Sequence, residues 1–326
     1  MHKHVVSFLV LALVAWQAQA AEKIRIGWVF AMANAPVVIA KEKGYFKDAG
    51  VDVEITSFTS GPLIKNGLAS GDLDMAYIGA PPVYHWYSRG LKSKILAKVN
   101  YGQAAVIVRK DSGIKDVKGL KGKKMAGVRK GSGMDVLLKG YVLGEAAELR
   151  PGKDVQIQTM PSANMGKSVE TKMVDAAFIW EPFTSQSLAR GNADIILNMN
   201  EAVPHYPWYV VMALPKTLEK KHDAVTKVLQ AHKRAVEFLN SSPTAGNDII
   251  AKTFKLSDVK TSSGKTIKAE EIVAMARERL GWEWDIKEKD KQFVQRLMDY
   301  SHKLGFIKKP MKASDVVDMS FVAGLK

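Results

Sequence analysis

Asp74-Met75-Ala76-Tyr77-Ile78-Gly79-Ala80-Pro81 and Asp175-Ala176-Ala177-Phe178-Ile179-Trp180-Glu181-Pro182 follow one pattern: Asp, x, Ala, aromatic, Ile, x, x, Pro. Each is a short apolar run, too short for a helix. An acidic turn residue opens it, and a proline that cannot continue a central strand closes it. The residues past each strand end, Gly79-Ala80 and Trp180-Glu181, then sit at the carboxyl edge of a sheet, where open α/β folds hold ligands. Two such edges in one chain predict two lobes facing one cleft.

Working outward, the same unit is written twice. Ile24–Val29 reads as a buried strand, Ala31–Asn34 as a small-residue loop, and Ala35–Lys43 as a helix with Pro36 in its first turn, where a missing N–H costs nothing. Val51–Phe58 alternates like a half-buried strand. Thr59 or Ser60 then caps a helix with Pro62 near its start. In the second copy, Lys124–Val128 is a strand, Gly131-Ser132-Gly133 a loop, Met134–Gly144 a helix, Val155–Met160 a strand and Met165–Lys172 a helix. Alternating strands and helices predict an α/β chain with parallel sheets covered on both faces. Residues 1–20 read as a signal peptide, 21–102 plus 208–326 as lobe 1, and 103–207 as lobe 2. Asn100–Ala105 and Pro204–Val211 are the crossovers between them. From Pro215 the chain is mostly helical, and these helices are expected to return to lobe 1 and wrap it, with Trp282 and Trp284 pinning one of them.

The 326 residues carry 47% hydrophobic and 25% charged side chains, the balance of an ordinary globular protein with a core that needs no covalent staples. The N-terminus has a short basic start (His2-Lys3-His4), an apolar stretch (Val5–Trp16) and a small-x-small site (Ala18-Gln19-Ala20). That stretch falls short of the ~20 residues needed to span a bilayer, so export and cleavage are expected. With no cysteine, the chain has no disulfide, no thiolate metal site and no lipid-modified cysteine. The net charge of +15 is spread along the chain without interleaved aromatics, so it reads as a solvated surface rather than a nucleic-acid site.

No catalytic set is visible. Gly131-Ser132-Gly133 follows Lys130, so it is not a Gly-x-Ser-x-Gly elbow, and Gly127–Gly131 lacks a P-loop's spacing. His85, His205, His222, His232 and His302 show no metal-ligand spacing, and no cofactor or metal is expected. Binding is better served. Ala33-Asn34, Thr59-Ser60-Gly61, Gly131-Ser132-Gly133 and Ser162-Ala163-Asn164 all follow strand ends and open helices. Such termini offer free N–H groups and partial positive charge to an anion. Trp180 can close over an apolar ligand body. Glu181 is left with three readings: receiving an ammonium, holding a hinge hydrogen bond, or facing water.

Ser60-Gly61, Ala69–Asp74, Gly79-Ala80-Pro81-Pro82, Val117–Lys124, Lys130-Gly131-Ser132, Val174-Asp175-Ala176 and Trp180-Glu181-Pro182, in that order, resemble the nitrate/sulfonate/taurine family of periplasmic substrate-binding proteins of ATP-driven (ABC) importers. The resemblance implies a type II periplasmic binding protein fold: two Rossmann-like lobes joined by a two-stranded hinge, with a membrane permease as partner and no enzymatic activity; a soluble periplasmic protein already fits the export signal and the absence of cysteine, and a monomer is the default. By position, Asn34, Ser60, Gly61, Gly79 and Ala80 would line the ligand site from lobe 1. Gly131, Ser132, Gly133, Asn164, Trp180 and Glu181 would line it from lobe 2. The implied ligand is an aliphatic sulfonate such as taurine, or a related small anion. Ala80 stands where taurine- and sulfonate-binding members often carry a polar residue, which leaves room for a more apolar ligand. The alternatives are a heterocyclic or aromatic nutrient such as a thiamin precursor, favoured if Trp28, Trp86, Trp180 and Trp208 reach the cleft, and a biosynthetic enzyme on the same scaffold.

Overall fold

The aspartate shared by the two motifs performs one task twice. Asp74 donates its N–H to the Arg25 carbonyl at 2.8 Å, and its carboxylate accepts the Arg25 N–H at 2.9 Å. Asp175 repeats this with Lys124, at 2.8 Å in both directions. Each pair of bonds fixes where the third strand of a repeat enters beside the first. A computed structural model describes residues 22–58 and 61–325. The expected signal peptide and the Thr59-Ser60 cap lie outside the described residues.

The strands are β1 (Lys23–Val29), β2 (Asp52–Phe58), β3 (Met75–Gly79), β4 (Lys94–Lys98), β5 (Asn100–Gly102), β6 (Ala104–Arg109), β7 (Lys124–Gly127), β8 (Gln156–Thr159), β9 (Ala176–Trp180), β10 (Ala193–Asn198) and β11 (Tyr209–Ala213). A hairpin of β12 (Val259–Lys260) and β13 (Thr266–Ile267) and a short β14 (Leu280–Trp282) follow. One five-stranded sheet runs β2-β1-β3-β11-β4, the other β8-β7-β9-β6-β10. The two orders are the same, repeat for repeat.

Neither sheet is fully parallel, which corrects the expectation from strand–helix alternation. β11 runs antiparallel to β3, and β6 antiparallel to β9. Both are the first strand after a crossover. A chain arriving from the other sheet enters at the edge where the repeat strands finish, so it must run against them: Tyr209 pairs with Gly79, and Ala104 with Trp180. The prolines also act differently from the expected loop. Gly79 ends β3 and immediately caps a helix, Ala80–Tyr87, which takes Pro81 and Pro82 in its first turn.

The C-terminal segment reaches beyond the first sheet. The helix His222–Ser241 buries a stripe of Val225, Val228, Leu229, Ala235, Val236 and Leu239 and packs on Ala35–Glu42. The helix Glu288–Lys303 packs both on Ala80–Tyr87 and on the helix opened by Gly133, which runs as α-helix over Gly133–Leu137 and as wider π turns over Leu138–Ala146. The ring of Tyr300 lies so close on Gly140 that a Cβ there has no room, and Arg296 and Tyr300 both bond the Glu145 carboxylate. β14 pairs with β5, and the indole N–H of Trp282 donates to the Ala33 carbonyl at 3.0 Å. The segment therefore spans the two halves instead of wrapping one.

Burial alone would raise the Asp74 carboxyl, but hydrogen bonds from Arg25 and Lys221 prevail and hold it below the ordinary 3.8. Asp175→Ala is expected to lower the unfolding free energy by about 0.5–1.5 kcal/mol, because the Lys124 N–H that loses its acceptor lies near water. Asp74→Ala should cost more, because Arg25 and Lys221 lose their partner as well. Urea unfolding of both variants measures this; unchanged midpoints would show that these bonds do not clamp the sheets.

Candidate ligand-binding cleft

Between the carboxyl edges of the two sheets lies a cleft of about 660 Å3. Val29, Ile78 and Gly79 reach it from one sheet, and Trp180 from the other. Pro82, His85, Trp86 and Arg89 come from the helix after β3 and its exit. The loop Val128–Gly133 and Met134 form the opposite wall; Trp208 and Tyr209 of the return crossover and Phe306 of the C-terminal segment complete it.

Three expected cleft glycines also seat aromatic rings. A Cβ on Gly61 would stand 3.7 Å from Trp86, one on Gly131 would stand 3.4 Å from Phe306, and one on Gly133 would stand 3.2 Å from Trp208 and 3.0 Å from Pro81. Gly131 also turns the loop at φ +78°, a region that side chains rarely adopt. Its N–H donates to the Asp135 carboxylate at 2.8 Å, and the Asp135 N–H donates to the Ser132 hydroxyl at 3.3 Å. Asp135 in turn pairs with Lys139 at 2.6 Å. Ser132 is thus the helix cap as well as a wall residue.

The charge in the wall is of one sign. Arg89, Arg129 and Lys130 line the cleft, no Asp or Glu does, and none of the three cations has an ion-pair partner among the described residues. His85 sits 3.0 Å from the Ser301 hydroxyl. Burial first, then the nearby Arg89, pushes its pKa from 6.5 down to about 4, so it is neutral at pH 7. Among the described residues, no cluster of three or more His, Cys, Asp or Glu is placed to hold a metal.

Of the residues singled out by sequence position, the cleft wall includes Gly61, Gly79, Gly131, Ser132, Gly133 and Trp180; Ser60 lies outside the described residues. Four other expected residues stand elsewhere. Asn34 is fully buried and donates to the carbonyls of Val29 (2.8 Å) and Tyr77 (3.4 Å), tying β1 to β3. Ala80 is buried and its N–H donates to the Trp208 carbonyl at 3.0 Å, which docks the return crossover. Asn164 is exposed on the helix Ser162–Glu170, outside the cleft wall. Glu181 is 1% exposed and stands outside the cleft wall: it accepts from Arg279 Nε at 2.6 Å and from the Ser185 N–H at 3.1 Å. Burial raises its carboxyl pKa while Arg279 and Ser185 oppose. In the other direction, sequence reasoning did not single out Arg89, Arg129, Lys130, His85 or Phe306. The one available signal was Lys130-Gly131-Ser132, where a cation adjoins a predicted anion-facing loop.

Residues 17–255 match the NMT1-like family. The chain belongs to this family. Among its NMT1-like relatives, a putative aliphatic sulfonates-binding protein of Bacillus subtilis (strain 168) is 31% identical, over 92% of this chain and 87% of that protein. In structure, the chain resembles the periplasmic aliphatic sulphonate binding protein SsuA from Escherichia coli (TM-score 0.76, 21% identity, covering 90% of this chain and 91% of that one). It also resembles the periplasmic nitrate-binding protein NrtA from Synechocystis PCC 6803 (TM-score 0.73, 19% identity, 93% and 88% covered). These neighbours share the periplasmic binding protein fold, and they are binding proteins, not enzymes.

His85 and the buried His232 both titrate near 4 in the folded chain, against an ordinary 6.5. Above pH 6.5 neither affects stability. As the pH falls from 6.5 toward 4 the unfolded chain takes up protons that the folded chain refuses, so stability drops, by at most about 3 kcal/mol for each histidine. His85→Gln, which keeps a bond to Ser301 within reach, should reduce the difference between urea midpoints at pH 7 and pH 4.5. An unaltered pH dependence would mean that His85 is not held neutral.

Proposed function

We propose that this chain is the ligand-capturing component of an ABC-type importer and binds a small organic anion, of the sulfonate class or a related acid, in the cleft between its lobes. The observation that carries the reading is the one-signed wall: Arg89, Arg129 and Lys130 face a cleft that no carboxylate lines. Clefts of one charge sign concentrate counter-charged solutes. At the start of the helix opened by Gly133 the Asp135 and Val136 N–H groups are taken by Ser132, so only those of Gly133 and Met134 are left to add to the attraction. Sulfonate- and nitrate-binding proteins on the same fold support the choice of an anion.

On this reading residues 1–20 direct export to the periplasm and are removed, and no helix among the described residues is long and apolar enough to cross a membrane. Lobe 1 (21–102 and 208–326) and lobe 2 (103–207) close on the ligand because only the closed form lets it touch Arg89 on one side and Arg129 on the other. The closed pair of lobes presents a composite surface to the permease.

Arg129→Ala and Lys130→Ala each remove one charge-assisted contact, so each should raise the Kd for a bound organic sulfonate about tenfold or more. Raising salt should weaken the wild type more than the double variant, since these groups are exposed and screened. Calorimetry at low and high salt checks both statements. Equal affinity and equal salt dependence in the double variant would rule out an anion held by this loop.

A further inference from the structure

Resting on the anion reading, we propose that the ligand carries a ring: an aromatic or heteroaromatic acid, not a two-carbon sulfonate or an inorganic oxyanion. Size is the first argument. Clefts of roughly 300–1,000 Å3 suit drug-sized molecules, and this one, at about 660 Å3, far exceeds what an oxyanion of a few atoms can fill.

The walls are the second. Trp86 comes from the helix after β3, Trp180 from the end of β9, Trp208 from the return crossover and Phe306 from the C-terminal segment, so rings converge from four separate stretches of chain. Trp86 and Trp208 are buried at 6% and 3% exposure, whereas Trp180 and Phe306 keep part of their surface open. Phe183 stands edge-on to Trp180 with centroids 6.3 Å apart, and His85 lies 5.8 Å from Phe306, so each open ring packs against a neighbouring ring. A hydrated inorganic ion would leave these apolar faces wet. A planar body would cover them and gain both area burial and ring–ring contact.

The charge is the third. The wall offers cations for an acid group and no carboxylate for an ammonium group. A zwitterionic amino-sulfonate would bring a positive end with no ion-pair partner, while a ring-bearing acid needs none.

The test is calorimetry and tryptophan fluorescence on the mature-length chain with benzenesulfonate, benzoate, taurine, nitrate and the neutral benzamide. Benzenesulfonate or benzoate should bind at least about tenfold tighter than taurine or nitrate. Trp180→Ala and Phe306→Ala, both checked for native circular dichroism, should weaken the ring-bearing acid at least about tenfold more than they weaken taurine or nitrate. Taurine or nitrate binding as tightly as the aryl acids overturns the ring and leaves the anion reading standing. Benzamide binding as tightly as benzoate overturns the anion reading instead. Failure of both aryl acids to bind overturns the proposal outright.

Discussion

The passage between the two lobes is held by charge taken out of water. Arg279, 5% exposed, meets the fully buried carboxylate of Glu181 at 2.6 Å. Lys98, fully buried, meets Asp290 at 2.9 Å and Glu283 at 2.6 Å, and also donates to the His205 carbonyl at 3.0 Å. The first pair sits at the outgoing crossover, where Gln103 donates to the Arg279 carbonyl and accepts from the Glu181 N–H. The second sits at the return crossover, where the His205 ring bonds Glu283. Arg279, Glu283 and Asp290 all come from one C-terminal stretch, so a single segment clamps both passages. Stability alone is a poor reason for such pairs, because desolvating each ion costs several kcal/mol and a well-packed apolar replacement often does as well. Directionality is a better one. Gln103 (φ 95°) and His205 (φ 58°) are non-glycine residues in the left-handed region, one in each crossover. Such residues cost of order 1–3 kcal/mol and persist only where their surroundings over-determine them.

The clamp also positions the cleft. Trp180 immediately precedes Glu181, and Trp208 docks onto the Ala80 N–H at 3.0 Å, so two of the aromatic walls are mounted on the crossovers themselves. Gly133 lets the second lobe approach until Pro81 and Trp208 are in contact range. On the far side, Tyr300 and Arg296 grip Gly140 and Glu145. The contacts between the halves that lie outside the cleft therefore include the ion pairs at the crossovers and the packing of the helix Glu288–Lys303 on the π turns.

The duplicated strands were legible because their local chemistry is complete within a few residues: Asp74 and Asp175 each bond the neighbouring strand, and Gly79 and Trp180 fall where the motif ends. The antiparallel strands were not. Ala104–Arg109 and Tyr209–Ala213 are apolar runs outside the repeat, and their direction follows from where the chain crosses, which periodicity does not encode. Glu181 was ambiguous for the same reason: its partner, Arg279, lies in a helical region with no counterpart in the repeat. Phe306 reaches the cleft from the end of that region. Asn34 precedes the helix after the first strand of one copy and Asn164 lies in the helix after the second strand of the other; one is sealed between strands and the other faces water, a difference in burial that their common place near a helix start does not encode.

The departure that matters most for function is at Gly131-Ser132-Gly133. A helix start after a strand reads as an anion cradle of backbone amides, but here Asp135 already takes the Gly131 N–H and a proton donor of its own is spent on Ser132. An exposed helix terminus contributes about 0.3–1 kcal/mol to a nearby charge, whereas a hydrogen bond from a charged group contributes about 1.5–3 kcal/mol. On the proposed reading, the comparison shifts the anion's hold from the backbone to Arg129 and Lys130 on the same loop, with Arg89 opposite. Long, exposed cations adapt to acids of different shape, so in this cleft the headgroup sets the attraction and the aromatic walls are left to discriminate.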